Sequence, residues 1–182
     1  MSSIGNDFLQ TAIRRLRYYK DLGDKSFEQL REEDFHFQPN ASSNSIGVII
    51  QHMAGNMLSR WTNFLTEDGE KEWRDRDGEF EPGKQGRAEL IATWEKGWEC
   101  FLGTLGSLKK KDLKKMVSIR NEELTVTDAI NRQLAHYPYH IGQIVYLARM
   151  IRDGEWKNLS IPKGDSKAYN ASSAVKDPAK KY

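Results

Sequence analysis

The chain contains four long stretches in which apolar residues recur at intervals of three and four, the spacing that puts them on one face of an α-helix. The four predicted helices cover roughly residues 6–22, 46–65, 87–105 and 125–153. Gly23 is the predicted stop of the first helix, and the polar run at 42–45 is the predicted cap of the second. Four amphipathic helices predict an all-α chain that folds as a four-helix bundle.

Two of the connecting segments carry signals of their own. Residues 67–86 form an acidic, Gly-containing insertion, and a loop of this length is often functional or mobile. Alternating stretches at 116–120 and 123–126 flank Asn121 and Glu122, which predicts a short β-hairpin before the fourth helix.

Length and composition describe one globular domain. The 182 residues are 38% hydrophobic and 30% charged, a balance that supports a buried core and argues against a disordered chain. We expect this domain over residues 1–159 and an extended tail over 160–182. The tail is rich in Ser, Lys, Ala and Pro, and we expect it to dock early, through Ile161 and Tyr169, and to be loose at its end.

Net charge and cysteine content exclude several classes of partner and of site. The net charge of +2 is close to balance, so no global field recruits nucleic acid or a membrane surface. The single cysteine, Cys100, excludes an intrachain disulfide and a cysteine-based zinc site, and its apolar neighbours predict a small buried residue. No apolar run is long enough to span a bilayer, and we see no signal peptide. We therefore expect a cytoplasmic protein with a small-molecule substrate.

Three of the four histidines lie on apolar faces of predicted helices. His136 and His140 are four residues apart, which places them on one helix face about 6 Å apart along the axis. His52 lies in the apolar stripe of the second helix. Inward-facing imidazoles are costly unless they are ligated or hydrogen-bonded, so the three predict either a divalent-metal site or a hydrogen-bonded core cluster. Three ligands leave coordination positions open for water or substrate.

Four further residues bear on this candidate site. Asn56, one turn beyond His52, and Gln143 either orient ligands or substrate or are ordinary polar residues of the bundle. His36 lies in a connector, and we do not expect it in the site. Pro138 falls between the paired histidines and predicts a kink, because proline removes one helical hydrogen bond.

The histidine spacing and the string His136-Tyr137-Pro138-Tyr139-His140-Ile141-Gly142-Gln143-Ile144 resemble the DinB/YfiT-like superfamily, and the stretch over 45–61 resembles one of its subgroups. The resemblance covers roughly residues 5–155. It implies an up-down-down-up four-helix bundle, frequent dimers, and a metal held by His52, His136 and His140. The metal in such proteins is typically zinc or nickel, completed by water, and some relatives are thiol-dependent S-transferases that use bacillithiol or mycothiol.

The resemblance and the residues together lead us to expect a metal-dependent enzyme, with S-transfer from a low-molecular-weight thiol as the preferred reaction. A His-ligated metal can lower the pKa of bound water, polarise a carbonyl or hold a thiolate. The alternatives are a metal-dependent hydrolase and a non-enzymatic, metal-stabilised dimeric binding protein. No general base is identifiable from the sequence.

Overall fold

The computed structural model describes residues 3–182 and is mostly helical, which confirms the predicted all-α character. The helices are α1 (Ile4–Phe27), α2 (Ile46–Trp61), α3 (Arg87–Ser107), α4 (Val126–Arg152) and α5 (Ser166–Ala171). The strands β1 (Met116–Ile119) and β2 (Glu122–Thr125) form one antiparallel pair, as the alternating pattern predicts. Within the described residues, no helix is both long enough and apolar enough to cross a membrane.

Serine and threonine side chains cap the N-termini of three of the long helices. Ser45 Oγ accepts a hydrogen bond from the Val48 N–H at the start of α2, and Thr125 Oγ1 accepts one from the Asp128 N–H at the start of α4. Such caps satisfy backbone donors that the first helical turn leaves without partners. Ser3 caps α1 in the same way.

Gly23 does not stop α1, which continues to Phe27. A Cβ at Gly23 would lie 2.7 Å from the Trp94 ring, so the glycine is required for close packing against α3. The next residue, Asp24, accepts a hydrogen bond of 2.8 Å from Trp94 Nε1. The glycine therefore serves a helix–helix contact rather than a C-terminal cap.

The second helix ends earlier than predicted, at Trp61 rather than near residue 65. Thr62 leaves the helical conformation, and Asn63 has a positive φ of 51°. Asparagine tolerates this left-handed region better than most residues, so it permits the chain to turn away from α2. By contrast, α4 is continuous through Pro138, and the kink stays a prediction.

The core lies between the long helices, with α2 packed mainly against α3 and α1 mainly against α4. Its largest fully buried side chains include Trp61, Trp94, Trp98 and Tyr137. The backbones of α2 and α3 approach closely, since a Cβ at Gly97 would lie 2.9 Å from Ala54 Cα. This packing fixes α2 and α4, the two helices that carry the histidines.

The C-terminal segment is not extended throughout, and the looseness of its end stays a prediction. It contains α5 and a 3-10 turn at Pro178–Lys181, which lies on α1. Ala179 is buried, and Asp177 forms a 3.3 Å ion pair with Arg15. Ile161, one of the predicted docking residues, is exposed. The anchor is therefore the last few residues rather than the beginning of the tail.

Candidate metal centre

The structure brings His52, His136 and His140 together between α2 and α4. Each offers a ring nitrogen, and the three nitrogens lie within 4.8 Å of one another. The Nε2 atoms of His136 and His140 are 3.1 Å apart. Imidazole nitrogens that ligate one zinc-sized ion at about 2.0–2.1 Å are separated by roughly 3.3 Å in tetrahedral geometry. The separation of His136 and His140 therefore suits a single divalent ion, and His52 lies close enough to be a candidate third ligand.

In each of the three imidazoles, the Nδ1 atom lies within hydrogen-bond distance of an oxygen of another side chain. His52 Nδ1 lies 3.1 Å from Glu79 Oε2, His136 Nδ1 lies 3.4 Å from Gln133 Oε1, and His140 Nδ1 lies 2.8 Å from Gln143 Oε1. Carboxylate and amide oxygens accept, so the proton belongs on Nδ1 and the lone pair on Nε2. This arrangement is typical of metal-ligating histidines, whose outer nitrogen donates to a carboxylate or a carbonyl.

The electrostatic surroundings keep two of the imidazoles neutral. Burial lowers the pKa of His136 to about 3, with help from the neighbouring His140 and His52 and from Arg60 and Arg132. Burial also lowers the pKa of His140, and the hydrogen bond to Gln143, which acts in the opposite direction, does not reverse this. Metal binding requires the neutral imidazole, so the environment favours the form that can ligate.

The acidic insertion at 67–86 covers the His52 side of the cluster. Arg74 holds the Glu79 carboxylate with two hydrogen bonds of 2.7 and 2.8 Å, and Glu79 in turn contacts His52. Burial alone would raise the pKa of Glu79, but the hydrogen bonds from Arg74 and His52 outweigh it and the pKa is lowered. The Phe80 ring lies against His52, with the ring centroids 4.7 Å apart. Glu79 is therefore an ionised partner that orients His52.

Sequence reasoning missed Glu79, Arg74 and Phe80. The insertion has no periodicity that would indicate which of its charged residues turns inward. The one available signal is Gly55, a glycine in the middle of α2. A Cβ at this position would overlap the Glu79 carboxylate, so Gly55 admits Glu79 to the helix surface.

The predicted accessory residues have definite contacts. Asn56 is buried and its Oδ1 accepts a 3.0 Å hydrogen bond from the Tyr137 hydroxyl. Gln143 uses its Nε2 to donate to the Tyr139 hydroxyl at 3.1 Å, which turns its Oε1 towards His140. His36 is exposed, contacts the Gln85 carbonyl and lies outside the cluster. Gln133, which was not among the predicted accessory residues, contacts His136.

A cavity of about 210 Å³ opens beside the cluster. His52, His136, Asn56 and Gln133 line one part of it. The rest of its lining consists of five arginines: Arg60, Arg74, Arg76, Arg120 and Arg132. The histidine cluster therefore adjoins a space with a strongly cationic wall.

Comparison with known proteins yields a single family. No curated protein and no solved structure matches the chain. The sequence model of the family described as "Protein of unknown function (DUF1572)" matches residues 3–165, which include all three histidines of the cluster. The chain therefore belongs to the DUF1572 family.

Proposed function

We propose that this protein is a divalent-metal-dependent enzyme whose ion is held by His52, His136 and His140. One observation carries the proposal: three imidazoles meet, and each has its outer nitrogen on an oxygen acceptor. A purely structural histidine cluster does not require this pattern at all three positions, whereas metal-ligating histidines almost always show it. Imidazole ligands suit zinc and nickel, and we propose these as the metals.

The preferred reaction is S-transfer from a low-molecular-weight thiol. A bound divalent metal supplies Lewis acidity, which lowers the pKa of a ligand such as a thiol or water. Among the described residues that line the cavity, none is a carboxylate or a lysine that could act as a general base. A thiol ionises near pKa 8.5, far more readily than water, so it needs less help from the protein. The arginines of the cavity favour the thiolate form.

We also propose the DinB/YfiT-like architecture, an up-down-down-up four-helix bundle. The contacts between α2 and α3 advance in the same direction along both helices, which supports a parallel pair. The contacting pairs are Gly47 with Leu90, Ala54 with Gly97, and Trp61 with Thr104. The contacts between α1 and α3 advance in opposite directions, which supports an antiparallel pair. These are Phe27 with Arg87 and Lys20 with Glu95.

We propose a homodimer that forms through the outer face of α4. Tyr139, Tyr146 and Met150 recur at helical spacing on that face and are all exposed. An exposed apolar stripe on one helix face is typical of a surface that another molecule covers. Light scattering on the purified protein tests this: a mass twice that of the 21.0 kDa chain is expected, and a monomer at all concentrations would contradict it.

The activity is tested with metal-reloaded protein, an electrophilic aryl halide and a panel of thiols that includes bacillithiol, mycothiol, glutathione and cysteine. We expect turnover that depends on the thiol and is lost in His136→Ala. His36→Ala is the matched control, because His36 is exposed and outside the cluster. Turnover of an activated ester without any thiol would point to a hydrolase. Metal binding with no turnover of either substrate would point to a non-enzymatic binding protein.

A further inference from the structure

The cavity beside the histidines holds more positive charge than its carboxylate partners neutralise. Arg74 is paired with Glu79, and Arg120 with Glu70 at 3.0 Å. Within residues 3–182, Arg60, Arg76 and Arg132 have no carboxylate within ion-pair distance. A cation–π contact of Arg76 with Phe80 spreads that charge without cancelling it. The wall is therefore left with a surplus of guanidinium charge.

Arg60 is the most informative of these residues. It is only 5% exposed, and its Nη1 atom is buried with no hydrogen-bond partner among the described residues. Burial lowers its pKa to about 10, and the like charges of Arg132 and Arg74 contribute, yet it remains protonated at neutral pH. An uncompensated buried charge is costly, and breaking its pairing is normally destabilising. Glu70 and Tyr137 favour the charged form of Arg60, but burial and the neighbouring guanidinium groups outweigh them.

Arg74, which also lines the cavity, has a free donor as well, although its other nitrogens pair with Glu79. Its side chain is 2% exposed, and its Nη1 atom is also buried without a hydrogen-bond partner among the described residues. Glu70 Oε2 lies 3.9 Å from this Nη1, too far for a hydrogen bond. Two buried guanidinium groups thus keep a free donor beside the same cavity.

We propose that this cavity binds an oxyanion, the phosphate or carboxylate group of a small-molecule ligand, through Arg60, Arg74 and Arg132. Guanidinium groups recognise such oxyanions with paired, charge-assisted hydrogen bonds. The cavity is smaller than the roughly 300–1,000 Å³ of pockets that enclose drug-sized ligands, so it fits a compact acidic group. If the anion belongs to the substrate, the proposal rests on the proposed enzyme function. The binding of an anion by itself does not depend on that function.

The order of residues along the two helices places the anion relative to the histidines. His52, Asn56 and Arg60 follow one another at intervals of four on α2, and Arg132 and His136 are four apart on α4. Each interval advances about 6 Å along a helix. The acidic group of the ligand therefore lies one to two helical turns from the imidazoles. The other, reactive end of the ligand reaches the candidate metal centre.

Calorimetric titration of the metal-free protein with inorganic phosphate and with malonate, at constant ionic strength in chloride, tests the proposal. We expect one anion per chain and a loss of affinity of at least about tenfold in Arg60→Met. Arg132→Gln, which changes an exposed residue, keeps the test valid if Arg60→Met does not fold, and a smaller loss is expected. Arg149→Met, an exposed arginine elsewhere on α4, is the control and should bind as the parent does.

Thermal unfolding of the same variants separates a ligand-binding role from a structural one. If Arg60 is kept for a ligand, Arg60→Met removes an unpaired buried charge, and the melting temperature without anion should stay the same or rise. Stronger binding of phosphate assigns a phosphate-bearing ligand, and stronger binding of malonate assigns a carboxylate. The proposal is overturned if neither anion binds, or if Arg60→Met and Arg132→Gln both bind like the parent.

The same titration on His140→Ala separates this inference from the metal proposal, because His140 does not line the cavity. We expect anion binding to be retained in this variant. Retained binding alongside a failure of the parent protein to take up metal would sustain the anion site and remove the proposed function. Loss of anion binding in His140→Ala would contradict an arginine-based site.

Discussion

The imidazoles of the cluster are oriented by two kinds of partner, glutamines on the same helix and a glutamate from a loop. Gln133 and Gln143 lie three residues from His136 and His140 on the same helix, so regular helical spacing sets both contacts. Glu79 comes from a loop and reaches His52 across 27 residues of sequence. The orientation of His52 is therefore the one that depends on tertiary structure.

Gly55→Ala should weaken metal binding without unfolding the protein. The added methyl group would overlap the Glu79 carboxylate and displace it from His52. Loss of such an outer partner typically costs about 10–100-fold in metal affinity. Alanine also favours a helix over glycine by about 1 kcal/mol, which offsets part of the cost of disturbing the buried Glu79–Arg74 pair, so the metal-free protein should still fold. A competition titration with a zinc chelator measures the affinity.

Gly103→Ala is the matched control for this substitution. Gly103 is also inside a helix, α3, and a Cβ there would meet nothing within 4 Å. It should leave metal affinity unchanged. Equal affinities for Gly55→Ala, Gly103→Ala and the parent would show that Glu79 does not orient a ligand.

At the scale of elements, the 67–86 loop and the β-hairpin behave as one unit because Asp68 joins them. Its carboxylate accepts the N–H groups of Arg120 and Asn121, and the Ser118 hydroxyl. Arg120 and Asn121 form the two-residue turn, with positive φ values of 58° and 63°. This conformation is unfavourable for residues other than glycine. The Asp68 contacts offset that cost, stabilise the turn and keep Arg120 at the cavity.

Asp68→Ala should destabilise the protein by about 1–2 kcal/mol at pH 7, because several hydrogen bonds to one charged acceptor are lost. Partial burial would raise the pKa of Asp68, but the hydrogen bonds from Ser118 and from three backbone N–H groups hold it well below its usual range. A lowered folded-state pKa contributes stability above the ordinary carboxyl pKa, and this contribution is lost as the pH falls.

Urea unfolding of the parent and of Asp68→Ala at pH 7, 5 and 3 measures this dependence. The difference in free energy of unfolding should be full at pH 7, nearly full at pH 5, and smaller at pH 3, below the ordinary pKa of about 3.9. A difference that grows as the pH falls would contradict the role given to the Asp68 carboxylate.

At the scale of the whole molecule, the sequence predicts the helices that carry the site better than it predicts the side chains that line it. Periodicity locates the four long helices because burial of one face leaves a repeat of three and four. The triad is readable from sequence because histidines on buried faces are unusual. Arg60 and Arg132 are not readable in this way, since a charged residue on a helix normally indicates a solvated face. Arg60 and Arg132 come to line the same cavity only because α2, α4 and the 67–86 loop meet in the folded chain.

The C-terminal segment also belongs to this scale. The family match ends at residue 165, and beyond it the chain docks on α1 through Ala179, Asp177 and Tyr182. A chain that ends at 165 should keep its metal affinity, because no residue of this segment lies in the cluster or the cavity. We expect a loss of about 1 kcal/mol, or about 2–4 °C in melting temperature. Loss of metal binding on truncation would contradict a separate tail.

The metal content of untagged protein tests the central claim most directly. After chelation and reloading with zinc or nickel followed by desalting, elemental analysis should find close to one equivalent per chain in the parent and in His36→Ala. His136→Ala should retain less than about a tenth of an equivalent, because it loses one of three ligands. A parent protein that itself holds less than about a tenth of an equivalent of either metal would contradict the account.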